Sequence, residues 1–236
     1  MSLPKINAPE YRLKVPSSDE EIKYRPFLVK EEKLLLIAQE TGDEKEIYNS
    51  IKNLVETCCF GAVDVTKMPL FDLEYIFLNI RAKSVGEVSS LEIVCPDDEE
   101  TKVKVDIDLT KIEVHMDETH DARIQLTDDI GILMSYPHLG SLAAMDAKDA
   151  GVQMENLFQM IYDCMYQIWQ GEETFDAMDY SVKEKREFVE SLNHEQFEKI
   201  QNFFQTMPTV KHEVEVENPN TKVKSTVTLQ GMNSFF

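Results

Sequence analysis

The spacing of apolar residues changes along the chain, and this change constrains the fold more than any other feature of the sequence. Between residues 30 and 85 apolar residues recur at helical spacing, as Ile47, Ile51 and Leu54 do. From Glu87 they alternate with polar residues in VSSLEIVCP and TKVKVDIDL, which is typical of strands with one buried face. Helical spacing returns in the last third of the chain. Separate blocks of helix and strand predict an α+β fold.

Turn and capping residues divide these blocks into elements. The polar turns SSDE, DDEE and NPNT predict three hairpins. The capping boxes SVKE and NHEQ predict helices at 182–192 and 194–207. The other predicted elements are a helix at 30–40 that ends at Thr41-Gly42, a helix capped by Asp43, a helix in PLFDLEYIFLNIRAKSVGE, strands in KIEVH, ARIQL and IGILMSYP, and a helix from Val152 that ends at Gly171. We therefore expect a helical core with antiparallel β-hairpins at the N-terminus, in the middle and at the C-terminus.

No linker rich in Gly, Ser or Pro interrupts the 236 residues, so we expect a single compact unit over residues 1–236. Its possible sub-parts are the N-terminal hairpin plus helices (1–85), a β-rich middle (86–150), and helices plus the C-terminal hairpin (151–236). The hairpins at 95–109 and 218–231 share a proline turn, the letters TKVK and a strand that runs to Leu. This similarity is either a weak internal repeat or a common turn chemistry.

The charge of the chain excludes several kinds of partner. It carries 44 acidic against 24 basic residues, a formal net charge of −20. Such a charge repels nucleic-acid phosphates and anionic membrane surfaces, whereas it attracts basic proteins and keeps a chain soluble. The N-terminal residues MSLPKINAPEY lack the basic and apolar regions of a signal peptide. We expect a soluble protein that stays in the compartment where it is made.

Residues that could carry chemistry are scattered along the sequence. There is no glycine-rich phosphate loop, no GxSxG motif, and no HExxH or paired-cysteine zinc motif. Cys58, Cys59, Cys95 and Cys164 lack CxxC spacing, which favours reduced and mostly buried thiols. We expect no catalytic residue, no cofactor and no metal ion.

The remaining candidates are surface features with a possible role in protein binding. The stretch IKYRPFLVKEEKLLLIAQE (residues 22–40) breaks at Pro26 and later places four apolar residues after a cluster of lysines and glutamates. Its aromatic and basic residues contact either a partner or the core. Two basic residues in LNIRAKSVGE either bind a partner carboxylate or complement the dipole at the C-terminus of a helix. The candidate partner-binding residues are Tyr24, Arg25, Phe27, Arg81, Lys83, Tyr136, Phe235 and Phe236.

The chain resembles the T4-type bacteriophage baseplate hub protein family in five stretches that follow the same order over nearly its whole length: IKYRPFLVKEEK, LEYIFLNIRAKSVGE, VCPDDEETKVKVDIDL, SLNHEQFEKIQNFFQTMP and LQGMNSFF. The resemblance implies a non-enzymatic tail protein that promotes assembly of the central baseplate hub by binding hub components, as an assembly chaperone in the host cell cytoplasm. The alternative is a structural hub subunit retained in the virion. The implied partners are other phage baseplate hub proteins, with no nucleic acid and no membrane. The oligomeric state stays open.

Some members of this family carry Cys-Pro-x-Cys turns in two hairpins, resembling halves of a zinc ribbon. This chain keeps only Cys95-Pro96 in the first hairpin and has Asn218-Pro219 in the second. One cysteine of a ligand set cannot hold zinc. The resemblance therefore implies metal-free hairpins whose turns close by ordinary hydrogen bonds.

Overall fold

The structure is a computed structural model of the chain, and it describes residues 7–42, 44–139, 150–231 and 234. The helices within these residues are α1 (Val29–Thr41), α2 (Glu44–Cys58), α3 (Leu70–Ser84), α4 (Ala150–Cys164), α5 (Val182–Glu190) and α6 (His194–Thr206). The strands are β1 (Tyr11–Lys14), β2 (Glu21–Tyr24), β3 (Val88–Val94), β4 (Lys102–Asp108), β5 (Glu113–His115), β6 (Arg123–Gln125), β7 (Ile130–Met134), β8 (Met165–Gln170), β9 (Glu173–Asp176), β10 (Thr209–Glu217) and β11 (Lys224–Gln230). Short 3-10 helices lie at Leu109–Lys111 and Ala177–Asp179. The predicted α+β fold class is confirmed.

The chain divides into two compact units. Unit 1 combines Met1–His115 with Thr209–Phe236, and unit 2 is the continuous segment Met116–Pro208. These boundaries differ from the sub-parts drawn from the sequence. The expectation of one compact body over residues 1–236 stays a prediction. In the part of the chain that the structure describes, no helix is long and apolar enough to cross a membrane.

Unit 1 is built around α3. Leu73, Ile76, Phe77 and Ile80 of this helix are fully buried, as their helical spacing predicts. The N-terminal hairpin pairs β1 with β2, and the middle hairpin pairs β3 with β4. A three-stranded antiparallel sheet has the order β11-β10-β5, so strands from both segments of unit 1 meet in it. Helix α3 contacts both β5 and β10 of this sheet.

Unit 2 contains an antiparallel four-stranded sheet with the order β6-β7-β8-β9. Ile124 and Ile132 are partners on one face of this sheet and are buried. They belong to the core of unit 2 together with Ile161 from α4 and with Ile200 and Phe203 from α6. The capping boxes predicted before α5 and α6 are both present, with the reciprocal hydrogen bonds in place.

The prediction of one helix from Val152 to Gly171 is wrong after Cys164. Helix α4 ends at Cys164, and the following six residues form β8, which pairs with β7 on one side and β9 on the other. Met165 and Ile168 fit the spacing of a helix face, but in the strand Met165 is buried and Ile168 is partly buried as well. Gly171, at φ 59°, forms the turn to β9, a strand that the sequence did not predict.

The turns of the hairpins β3–β4 and β10–β11 have one backbone hydrogen bond and one residue with positive φ in common. In the first turn the amide of Glu99 donates to the carbonyl of Cys95 (3.0 Å), and in the second the amide of Lys222 donates to that of Asn218 (2.9 Å). Glu99 and Lys222 both have positive φ, at 54° and 64°. The side chain of Asn218 then joins the two turns by donating to the carboxylates of Asp97 and Asp98. Whether the hairpins are a true repeat stays a prediction.

Candidate protein-binding site

Three candidate residues, Tyr24, Arg25 and Phe27, lie in unit 1 at the end of β2 and just after it, and most of their surface is covered. Tyr24 and Phe27 are buried, and burial raises the pKa of the Tyr24 hydroxyl. Arg25 lies between them and forms an ion pair with Glu31 at 3.1 Å. Its amide donates to the carbonyl of Cys58 at 3.0 Å. Their burial favours a role in the core of unit 1, and partner binding by these residues stays a prediction.

The two basic residues near the end of α3 also interact within unit 1. Arg81 is half-buried and donates to the hydroxyl of Ser89 at 3.3 Å, and burial lowers the pKa of its guanidinium. The Lys83 ammonium lies 2.5 Å from a carboxylate oxygen of Glu87 and 5.6 Å from the centre of the Tyr11 ring. The hydrogen bond to Glu87 raises the pKa of Lys83. Both residues hold the end of α3 against neighbouring strands and loops.

Tyr136 lies in unit 2, apart from the other candidates in the chain. Its hydroxyl is 3.1 Å from Nε2 of His120, and its ring stacks on Phe203 with the ring centres 5.7 Å apart. Phe235 and Phe236 lie outside the described residues, as does Asp43, the predicted cap of α2. Of the predicted site residues that the structure describes, Tyr136 belongs to unit 2 and the others belong to unit 1, and partner binding by them stays a prediction.

An open apolar groove of about 470 Å³ lies in unit 2. One wall is the sheet face that carries Ile130, Ile168 and Phe175, and the other wall is the side of α5 that carries Phe188. Tyr180 stands at its edge, with its ring 6.5 Å from that of Phe175. The remaining lining residues are Met165, Gln170, Ala177, Glu184, Lys185 and Ser191.

Local structure on both sides fixes the walls of this groove. In the sheet, Ile168 of β8 is the direct partner of Phe175 of β9, so their side chains point to the same face. On the other side, Ser181 caps α5, and its side chain accepts a hydrogen bond from the amide of Glu184. This cap starts the helix at a defined residue. The 3-10 turn between β9 and α5 carries Ala177 inward. The groove is thus formed by the fold of unit 2 itself.

Three polar side chains of the groove, those of Glu184, Lys185 and Ser191, are already engaged within unit 2. Glu184 accepts hydrogen bonds from the amide and hydroxyl of Ser181 at 2.8 and 2.7 Å, which lower its pKa. The ammonium of Lys185 donates to the carbonyl of Tyr162 at 3.1 Å, and the hydroxyl of Ser191 donates to the carbonyl of Phe188 at 2.6 Å. Since these groups support the fold, the groove is suited to binding apolar side chains.

The segment that forms the groove is rich in acidic residues. Residues 165–191 contain seven acidic and three basic side chains. Each of the three basic residues has a partner within unit 2, since Lys183 lies 3.8 Å from Glu187, Arg186 lies 3.6 Å from Glu155, and Lys185 binds the carbonyl already described. The acidic excess therefore faces solvent around the groove, and its field favours a basic partner.

Sequence reasoning did not find this groove. Its lining comes from β7, from the β8–β9 hairpin, from the 3-10 turn and from α5, which no local pattern connects. A local signal does exist, because FDAMDY places Met178 and Tyr180 at exposed positions in a polar segment. Exposed apolar residues close to one another often mark a binding surface.

Comparison with known proteins places this structure in a family. The family model described as T4 bacteriophage base plate protein matches residues 8–236. The chain belongs to this base plate family. No curated protein and no solved structure matches it. Within the described residues, no group of three or more His, Cys, Asp or Glu side chains is placed to hold a metal ion. The groove in unit 2 is therefore a candidate binding site in a phage base plate protein.

Proposed function

We propose that this base plate protein is a non-enzymatic assembly chaperone for the central hub of the phage baseplate. In this role it binds another baseplate hub protein in the host cell cytoplasm, without a metal or cofactor. The observation that carries the proposal is the apolar groove of unit 2 with its acidic surroundings, in a chain that belongs to a base plate family. A chaperone of this kind needs a surface that holds an apolar segment of its client.

The chemistry of the groove indicates which client segment fits. Apolar walls at Ile168, Phe175 and Phe188 suit one or two large apolar side chains. The acidic excess around them favours a segment that also carries Lys or Arg. Acidic charge over the whole chain keeps the free chaperone soluble and weakens its self-association.

The test is a pulldown of the other baseplate hub proteins at low and high salt, with the wild-type chain and two variants. Tyr180→Glu places a carboxylate at the edge of the groove, and Met178→Glu is the matched control. Both residues lie in one short segment and are exposed, but only Tyr180 lines the groove. We expect wild type and Met178→Glu to retain one hub protein, and Tyr180→Glu to lose it. High salt weakens the binding because it screens the acidic field, but the apolar contacts remain.

Equal retention of a hub protein by Tyr180→Glu and wild type contradicts the groove as the binding site. Failure of the wild-type chain to retain any hub protein contradicts the chaperone role itself. A second measurement compares lysates of infected cells with purified virions. Presence in lysates but not in finished particles supports a chaperone, and stoichiometric recovery in particles supports the alternative of a structural hub subunit.

A further inference from the structure

Helix α1 is apolar on more than one side. Its buried residues, Glu31, Leu35 and Ala38, follow each other at spacings of four and three and form one face. A helix of this kind normally exposes polar residues on the opposite side. In α1 the opposite side also carries three apolar residues, Val29, Leu36 and Ile37, which are 79%, 53% and 48% exposed.

The exposed side of α1 also carries one cation and one anion. At 3.6 residues per turn, Val29, Lys33, Leu36, Ile37 and Glu40 fall within an arc of about 100°, centred opposite the buried face. We call these five residues the α1 face. Lys33 and Glu40 are exposed, and neither forms an ion pair within the part of the chain that the structure describes. Along the helix axis, the α1 face therefore has the apolar pair Leu36–Ile37 in its middle, with Lys33 before this pair and Glu40 after it.

The order of these charges makes the α1 face complementary to itself. Lys33 precedes the Leu36–Ile37 pair by the same number of residues by which Glu40 follows it. When two copies of a helix pack antiparallel about that pair, Lys33 of each copy lies opposite Glu40 of the other. The apolar centres then cover each other, and both charge pairs are of opposite sign.

We propose that the α1 face binds a second copy of this chain, in an antiparallel twofold dimer. The face lies in unit 1, whereas the groove proposed for a hub protein lies in unit 2, so this inference stands independently of the chaperone role. A different protein would need neither the symmetric order of charges nor their opposite signs. One helix face is small compared with the roughly 800 Å² per partner of a stable interface. The net charge of −20 on each copy also opposes association, so the dimer is weak and reversible.

The experiment is sedimentation equilibrium of the full chain over about 1 to 200 µM, a range that reports dissociation constants in the micromolar class. We expect a reversible monomer–dimer equilibrium for wild type. Lys33→Glu and Glu40→Lys each place like charges opposite one another and weaken the dimer by roughly tenfold. Because the dimer is symmetric, the double variant Lys33→Glu/Glu40→Lys restores both opposite-charge pairs. Its dissociation constant is expected to return to the wild-type range.

Two further variants test the apolar centre. Leu36→Glu is expected to abolish the dimer, because it places two carboxylates at the twofold axis. Val223→Glu is the control, since Val223 is an exposed apolar residue of unit 1 outside the α1 face. Far-UV circular dichroism checks that each variant remains folded. A wild-type chain that stays monomeric over the whole range overturns the proposal, and so does a double variant that associates no better than the single ones.

Discussion

Gly131 allows the only tryptophan of the chain to lie flat on the sheet of unit 2. It is the direct partner of Trp169, on the face opposite to the groove. A methyl group at Gly131 would overlap the indole ring at Cζ2 and Cη2, and even Cε2 would be only 2.5 Å from it. The other side of the ring is covered by Arg123, whose guanidinium carbon is 4.1 Å from the ring centre. Gly131→Ala must therefore push the ring off the sheet.

The cost of this displacement follows from what the ring loses. Trp169 is 7% exposed. A buried aromatic side chain of this size covers about 200 Å². Losing half of that burial costs about 2.5 kcal/mol at 25 cal/mol per Å². The lost stacking on Arg123 adds about 0.5 kcal/mol. We expect Gly131→Ala to reduce the free energy of unfolding of unit 2 by about 3 kcal/mol.

Trp169 itself supplies the assay, because tryptophan emission shifts to the red when the ring becomes exposed. Urea unfolding followed by emission and by circular dichroism gives both the position of the ring and the free energy of unfolding. Gly171→Ala is the control: its φ is 59° and nothing lies within 4 Å of the added carbon, so only backbone strain of about 1 kcal/mol is expected. In a Trp169→Leu background, Gly131→Ala should cost much less. Unchanged emission and stability in Gly131→Ala would refute the reasoning.

Three further perturbations test other parts of the fold. Asn218→Ala removes a buried amide that joins two hairpin turns, and in a urea titration it should lower the free energy of unfolding by about 2 kcal/mol. Asn220→Ala is the control: it removes one exposed hydrogen bond and should change the free energy of unfolding little. Burial raises the pKa of Asp72, so its ionisation opposes folding as pH rises through the folded-state pKa, and the stability of Asp72→Asn relative to wild type should be greater at about pH 7 than at about pH 4. Burial lowers the pKa of His120, so its contribution to stability is present above about pH 6.5 and is lost as pH falls through the folded-state pKa. His120→Gln should flatten that dependence in unfolding curves followed by Trp169 emission, and an unchanged slope would contradict it.

Local signals in the sequence were sufficient for much of the fold. Ser181 with Glu184, and Asn193 with Gln196, predict the starts of α5 and α6, because a capping box satisfies amides within three residues of each other. The hairpins at both ends and in the middle follow from polar turns between alternating strands. In each of these cases the deciding contacts lie close together in the chain.

Long-range contacts decided what the sequence could not. The residues of β8 satisfy helix spacing at Met165 and Ile168. Only pairing with β7, whose residues lie about thirty to forty positions earlier, selects the strand. The sequence does not decide whether Tyr24 and Phe27 lie at the surface or in the core. Their burial depends on how α1, α2 and α3 pack around them. The groove depends on segments that meet only in the folded unit. For these features, tertiary contacts override the local pattern.

The pairing of β5 with β10 has a consequence for how this protein leaves the ribosome. Synthesis releases β5 long before β10, and the whole of unit 2 emerges in the interval. Unit 2 is continuous in the chain and can complete its core during translation. Until β10 is synthesised, β5 and the side of α3 that β10 contacts have no partner in unit 1. A translation product that stops before Thr209 therefore exposes an unpaired strand edge, the kind of surface that aggregates and recruits host chaperones.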